Sequence, residues 1–297
     1  PRYHYFGTKD FEAVKRGDQS VTELCLYDGQ VLDLEFIREN RSVERLCVYN
    51  CEGVKSLDPL RNNTTITKLW LHGCSIESLE PLQHNASIRT LDIRDNLHPI
   101  DISPLSKTSI KTLCIKRCGM KSLASLQYNT SVVVLDLIDN HITDISPLRD
   151  NRAITKLDIS ENPIEDVSPI ESMRSLEWFI AYNCKIRDAD PIFRNQTIGF
   201  AGMNGNLIES IDLLRFNTSI DMLYISNNPI PKEHRLSALL SNAYVTDSSP
   251  DDDDYDLVGH LRLNRTNLPN RLLTLKNLSF HHIHIVKNAL HNSQLLS

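Results

Sequence analysis

The sequence predicts an α/β fold in which one strand-and-turn unit stacks on copies of itself as a solenoid, and three periodic columns carry this prediction. The first column is apolar and repeats mostly every 22 residues, at Leu24, Leu46, Leu69, Leu91, Leu113, Leu135, Leu157, Phe179, Ala201 and Leu223. An aliphatic residue lies three positions before each member, from Val21 to Ile220. Asn or Cys lies five positions after nine members, from Cys51 to Asn228. A fixed period of this length is typical of stacked supersecondary units.

Each unit predicts one short strand. The index position and the position two residues later are apolar, whereas the residues beside them are mostly polar, which is the strand period of two. Stacking then predicts a parallel sheet on the concave face of a curved horseshoe.

The Asn/Cys column follows each strand at the turn. Unpaired buried backbone groups cost about 1–3 kcal/mol each, so the turns require polar side chains as partners. Asn can bridge successive turns, and Cys is a small residue that tolerates burial and donates weakly.

These columns together match the pattern L-x-x-L-x-L-x-x-N/C-x-L about ten times over residues 21–230. This pattern resembles the leucine-rich repeat, and the later half of the unit, as in Ile142–Leu148, resembles the 22-residue class of bacterial internalins and of the leucine-rich regulatory subunit of protein phosphatase 1. The resemblance implies a horseshoe that presents its strand face to partners.

The return segments are expected to be short. Proline recurs there at Pro59, Pro81, Pro104, Pro147, Pro169 and Pro191, and about ten residues separate the turn from the next strand. Proline disfavours long α-helices, so we expect 3₁₀ or single-turn segments on the convex side. A second Asn column is expected to cap these segments, at Asn40, Asn63, Asn85, Asn129, Asn151, Asn195 and Asn217.

The ends of the repeat array predict the remaining domain boundaries. Residues 1–20 are expected to form an N-terminal cap with a short helix near 10–15, residues 21–230 the repeat solenoid, and residues 231–244 a capping helix that begins at Pro231. Residues 245–256 are expected to form an acidic loop. Residues 257–297 are either an extended C-terminal cap or a small helical appendage, with one helix expected around Val286.

Composition limits the classes of function. The chain has 297 residues and a net charge of -6, with no basic excess for nucleic acid and no apolar run that approaches a membrane span. Seven cysteines without flanking pairs favour reduced thiols, including those of Cys25 and Cys47, and a cytoplasmic setting. The alternative is a secreted or cell-surface protein. We expect a monomer.

Nine N-x-S/T motifs oppose the cytoplasmic prediction, because such motifs accept glycans in secreted proteins. Six of them coincide with the second Asn column, so a structural role in the repeat also explains them. We favour the structural role.

The candidate binding residues are those that point away from the core, at positions -1, +1 and +3 from each index residue. One aromatic patch is predicted over three adjacent repeats, comprising Trp178, Ile180, Tyr182, Phe200, Met222 and Tyr224. Such patches often mark interaction sites. The alternative is that residues 257–297 cover it.

Two further groups lie on the same columns. Near the first repeats an aromatic cluster is expected from Tyr27, Tyr49, Trp70 and His72, and farther along an acidic stripe from Asp92, Asp136 and Asp158, which we expect to remain solvated. Mixed charge beside aromatic residues suits a protein or peptide partner.

The sequence lacks the motifs of an enzyme. It has no G-x-S-x-G, no H-E-x-x-H and no phosphate-binding glycine loop. Neither the run Asp251–Asp254 nor the histidines His281, His282 and His284 have metal-ligand spacing, so no metal or cofactor is expected. We therefore predict a non-catalytic protein-binding module or scaffold. The alternatives are a recognition or adhesion protein of internalin type and a substrate-presenting subunit of an enzyme complex.

Overall fold

A computed structural model describes residues 8–231 together with the backbone of 244–245, 260–264 and 285–286. The chain divides into two compact units, Pro1–Thr143 and Asp144–Ser297. This division falls within the predicted solenoid, and each unit is described by itself.

Unit 1 is a ladder of parallel strands. Its members are β1 (Glu23–Tyr27), β2 (Arg45–Tyr49), β3 (Lys68–His72), β4 (Thr90–Arg94), β5 (Thr112–Lys116) and β6 (Val134–Asp136). Each strand pairs in parallel with the next, and index leucines face one another, as in Leu24 opposite Leu46 and Leu91 opposite Leu113. The one-residue-longer second repeat therefore leaves the register intact, because its extra residue lies between the strands.

Unit 2 continues the same pattern. Its parallel strands are β7 (Lys156–Asp158), β8 (Trp178–Ile180), β9 (Phe200–Gly202) and β10 (Met222–Tyr224). Three further strands follow, β11 (Tyr244–Val245), β12 (His260–Asn264) and β13 (Ile285–Val286). Both β12 and β13 pair antiparallel with β10, so they extend the sheet beyond the last repeat strand.

The return segments are short, as the prolines predict. In unit 1 they are the 3₁₀ helices Glu35–Ile37, Asp58–Leu60, Glu80–Leu82, Ser103–Leu105 and Ala124–Leu126. In unit 2 they are the 3₁₀ helices Ser146–Leu148, Ser168–Ser172 and Asp212–Phe216, and α2 (Asp190–Arg194). Proline occupies the first turn of several of them, where its missing N–H is not needed.

The helix expected near residues 10–15 is present as α1 (Thr8–Lys15). Phe11 of α1 packs edge-on against Phe36 of the first return segment, with ring centroids 5.0 Å apart. The capping helix predicted over residues 231–244 and the acidic loop lie almost entirely outside the described residues. The helix predicted around Val286 is wrong at that residue, which lies in β13, because pairing with β10 outweighs its helical spacing.

The core consists of the inward columns. Index residues and their +2 neighbours are 0–1% exposed nearly throughout, and Phe179 and Ala201 occupy two index positions with no exposure. Phe179 lies opposite Ala201 in the register, so the larger ring offsets part of the volume that the small Ala removes from the core. Among the described residues, no helix is long and apolar enough to cross a membrane.

The turn after each strand uses a left-handed backbone conformation that the sequence analysis did not predict. Residues four positions after the index have positive φ in every repeat: Asp28, Asn50, Gly73, Asp95, Arg117, Asp139, Glu161, Asn183, Gly205 and Asn227. Gly, Asn and Asp tolerate this conformation, whereas Arg and Glu are strained in it.

Replacing Glu161 by Gly should therefore stabilise the protein by about 1 kcal/mol, because its φ of 58° costs a residue with a Cβ about that much. The measurement is urea unfolding of E161G. The matched control is E177G, which removes an exposed Glu from a loop without positive φ and should destabilise slightly. Equal effects of the two substitutions would contradict the strain at Glu161.

Candidate partner-binding face

The C-terminal aromatic patch of unit 2 forms a continuous row of rings. Trp178 of β8 lies directly opposite Phe200 of β9 in the strand register. Their rings stack with centroids 4.7 Å apart and planes 15° apart. Phe200 also contacts Tyr224 of β10, at 5.1 Å between centroids. The predicted residues are thus brought together across three strands.

The row presents ring edges to its surroundings. One face of Trp178 is covered by Phe200, and the Lys156 ammonium lies 5.0 Å from the centroid of Trp178 as a cation–π contact. Trp178 is nevertheless 43% exposed, although the neighbouring inward residue Phe179 is fully buried. Stacking accounts for part of the apolar surface of these rings, and the exposed remainder is available to a partner.

Tyr182 lies beside the row in a space that a glycine leaves open. A Cβ at Gly202 would lie 2.7 Å from the Tyr182 ring and from its hydroxyl oxygen, so only glycine leaves room for the ring at this position. Burial, together with the nearby Tyr224 and Asp158, raises the pKa of Tyr182 to about 12. Gly202 thus shapes the patch, a role that the sequence analysis missed.

The N-terminal aromatic cluster of unit 1 has a similar arrangement. Tyr27 and Tyr49 stack with centroids 5.2 Å apart, and the His72 ring meets Tyr49 edge-on at 4.9 Å. Trp70 is half-buried on β3 between Cys47 and Asp92 in the register. The structure therefore brings together three rings of the predicted cluster, with Trp70 on an adjacent column.

Asp92 is not solvated, and the expectation that it would be is wrong. It is 4% exposed and accepts two hydrogen bonds from the Arg94 guanidinium, at 2.7 and 2.6 Å. The His72 Nε2 lies 3.2 Å from Asp92 Oδ1. Burial alone would raise the pKa of Asp92, but hydrogen bonding to His72 and Arg94 outweighs it and holds the pKa below its usual value. The Arg94 guanidinium on the same strand and the His72 ring on the preceding strand therefore explain why Asp92 is buried.

Asp136 resembles Asp92 in being engaged by a cation, so its expected solvation is also wrong, whereas Asp158 has a backbone partner. Asp136 of β6 forms an ion pair with Lys116 of β5, and both side chains are largely buried. In unit 2, Asp158 is half-buried and accepts a hydrogen bond from the Ser160 backbone N–H at 3.0 Å. Asp92 and Asp136 are therefore engaged with cations of their own face.

The ion pair between buried Asp92 and partly exposed Arg94 predicts a pH-dependent stability. Because the folded-state pKa of Asp92 is lowered, its stabilisation is complete above the unfolded value near pH 4 and is lost as the pH falls through the folded value. We expect D92N to cost about 2 kcal/mol at pH 7 and less at pH 2.5. Urea unfolding at both pH values measures this difference. D95N is the matched control, since Asp95 pairs with Arg117 at an exposed site; its cost should be under about 0.5 kcal/mol.

The second Asn column is buried, which favours its structural role. Its members are 0–6% exposed in the structure. Each side-chain oxygen accepts hydrogen bonds from the backbone N–H groups two and three residues later, as Asn85 does from Ser87 and Ile88. Several amide groups also donate to a carbonyl of the preceding repeat, as Asn85 does to Asn63 at 2.9 Å. The six N-x-S/T motifs of this column therefore serve the turns, whereas Asn62 is exposed.

The first Asn/Cys column acts as predicted. Asn140 donates to the carbonyl of Ile115 in the preceding repeat at 2.7 Å, and the Cys118 thiol donates to the carbonyl of Ile93 at 3.5 Å. Cys thus replaces one donor of Asn. All seven cysteines are free, and among the described residues no three His, Cys, Asp or Glu side chains are grouped as metal ligands.

Comparison with known proteins supports the repeat pattern. The family model described as Leucine Rich repeats (2 copies) matches residues 130–172. No curated protein shows significant sequence similarity to the chain.

Solved structures share the fold. Internalin C2 from Listeria monocytogenes is 23% identical, with a TM-score of 0.57 over 64% of this chain and 84% of that one. A leucine-rich repeat protein from Leptospira interrogans is 15% identical, with a TM-score of 0.57 over 75% of this chain and 65% of that one. A TDR receptor is 13% identical, with a TM-score of 0.54 over 74% of this chain and 41% of that one. The chain therefore has the leucine-rich repeat fold.

Proposed function

We propose that this leucine-rich repeat protein is a non-catalytic binding module that holds a protein or peptide partner on its outward strand face. The observation that carries the proposal is the row of rings formed by Trp178, Phe200 and Tyr224. Trp178 is 43% exposed on the outward face, whereas the inward residues of the same strands are buried. Aromatic residues that remain exposed on a rigid sheet are the usual anchors of protein interfaces.

The ring geometry supports a protein partner over a ligand that stacks. Sugars and nucleobases bind aromatic residues through an open ring face, but Phe200 and Lys156 cover both faces of Trp178. Ring edges instead suit aliphatic side chains, aromatic faces and backbone carbonyl groups, because the edge carries the positive end of the ring quadrupole. Ile180 and Met222 add apolar surface to the same face.

Within unit 1, we propose Tyr49, Trp70 and His72 as partner contacts of that unit. Asp92 and Asp136 were expected to touch the partner, and we now propose that they position Arg94 and Lys116 through their ion pairs. Asp158, which is half-buried in unit 2, is proposed as a polar contact at the border of the C-terminal aromatic patch.

The setting and the assembly state form the finer part of the proposal. Seven free cysteines support a reducing, cytoplasmic compartment and a scaffold role, and we propose that the protein is a monomer. The likeness to internalin C2 concerns the fold and favours no particular partner.

Site-specific photo-crosslinking tests the proposed surface. A benzophenone amino acid in place of Ile180, on β8 beside Trp178, should cross-link a partner protein in the native cell. The same group in place of Phe216 is the matched control, because Phe216 is 67% exposed but belongs to a return segment.

The result expected is a cross-linked species from position 180 that disappears when W178A and F200A are added, and none from position 216. Cross-linking from position 216 alone, or a position-180 product that survives both substitutions, would overturn the assignment of this face.

A further inference from the structure

Two thiols face each other on the first two strands of unit 1. Cys25 of β1 and Cys47 of β2 are directly paired in the parallel register. Paired strands lie about 4.8 Å apart, and a disulfide joins Cα atoms about 4.4–6.8 Å apart. The backbone therefore already holds these two cysteines at bonding separation.

The other cysteines have different surroundings. Cys114 occupies the same outward column and is equally buried, at 9% exposure, but its register neighbours are Asp92 and Asp136. Cys51 and Cys74 follow one another in the turn column, yet both are fully buried with their thiols directed at backbone carbonyls. Among the described cysteines, only Cys25 and Cys47 thus combine direct pairing with a position on the outward strand face.

The two thiols also affect each other's protonation. The interaction between the two thiols lowers the pKa of Cys25 and raises the pKa of Cys47. Weaker hydrogen bonding to Tyr27 also lowers the pKa of Cys25, and weaker hydrogen bonding to Tyr49 partly opposes the rise at Cys47. By contrast, burial and the two flanking carboxylates raise the pKa of Cys114 to about 12. Of the two paired thiols, Cys25 therefore has the larger thiolate fraction, and the thiolate is the form that attacks disulfides.

We propose that Cys25 and Cys47 form a dithiol site that small disulfide oxidants convert reversibly into a disulfide bond between β1 and β2. The Cys25 thiolate attacks one sulfur of glutathione disulfide, which gives a mixed disulfide and one glutathione thiolate. Cys47, deprotonated, then attacks the Cys25 sulfur and expels the second glutathione. Two electrons pass to glutathione, and the two thiol protons end on the two glutathione molecules.

The bond has a direct structural consequence for unit 1. Tyr27 and Tyr49 lie two residues after the two cysteines on the same strands and stack on each other. A disulfide bond next to the stacked tyrosines joins the first repeat to the second and limits how far β1 and β2 can separate. The N-terminal aromatic cluster is thus more rigid when oxidised.

The experiment exposes the folded full-length chain to glutathione disulfide, stops the reaction with acid, alkylates free thiols and measures the mass. The wild-type chain should lose two of its seven thiols. Trypsin should then release residues 17–38 linked to residues 46–55. C114S should lose the same two thiols, C25S should lose none, and C47S should retain one glutathione on Cys25.

A second readout separates proximity from reactivity. Phenylarsine oxide bridges two adjacent thiols, so wild type and C114S should each bind one equivalent, and C25S and C47S none. Retention of all seven thiols, a link between other cysteines, or arsenical binding that survives C25S would each overturn the proposal.

Discussion

Substituting Trp178 and Phe200 together by Ala should weaken binding of the partner by at least about 100-fold while the fold persists. Each ring is an anchor of the exposed row, and truncation of an interface anchor typically costs about 2 kcal/mol or more. The two rings stack on each other, so their effects are coupled and the double variant is more informative than either single variant.

The partner that cross-linking identifies is purified in its free form. Its binding to wild type, to W178A/F200A and to F216A is then measured by calorimetric titration. F216A should bind as wild type does, because Phe216 is exposed outside the strand face. Circular dichroism should show unchanged secondary structure in all three. Full affinity in the folded double variant would exclude the patch as the binding site.

Substituting Asn195 by Ala should destabilise the protein by about 4 kcal/mol. Asn195 has no exposed surface, accepts hydrogen bonds from the N–H groups of Thr197 and Ile198, and donates to the carbonyls of Ile170 and Met173. The substitution leaves the two N–H groups without a partner at a buried turn, whereas the two carbonyls still accept hydrogen bonds from the N–H groups of Met173 and Leu176. Each such group costs about 1–3 kcal/mol, less where the structure relaxes.

Urea unfolding measures this cost. N62A is the matched control, since Asn62 also belongs to an N-x-S/T motif but is exposed, and it should change stability by under about 0.5 kcal/mol. If N195A proved as mild as N62A, the Asn column would not hold the turns, and the structural explanation of these motifs would fail.

The repeat and its inward columns could be predicted from the sequence because each unit obeys the same packing constraint. Leu24 and Leu46, like every later index residue, bury their side chains in the core, so the period alone reveals the strand, its register and its outward positions. The confirmed 3₁₀ segments follow equally from proline and from the short return. Local, repeated constraints leave a strong trace in sequence.

The details of the outward face could not be predicted in the same way. Nothing in the spacing of Asp92 indicates that Arg94, two residues later, and His72, one strand away, together favour its burial. Likewise, Gly202 gives no sign of the Tyr182 ring that requires it. The positive-φ column was detectable from its Gly, Asn and Asp residues, but Arg117 and Glu161 interrupt the pattern.

Acrylamide quenching of Trp178 tests the central claim most directly. The chain has two tryptophans, so the variant W70F leaves Trp178 as the only indole, and its 43% exposed surface makes it accessible to the quencher when free. With saturating partner, the quenching constant should fall several-fold, because the partner covers the exposed ring edge. An unchanged quenching constant at full occupancy of the partner would contradict the account.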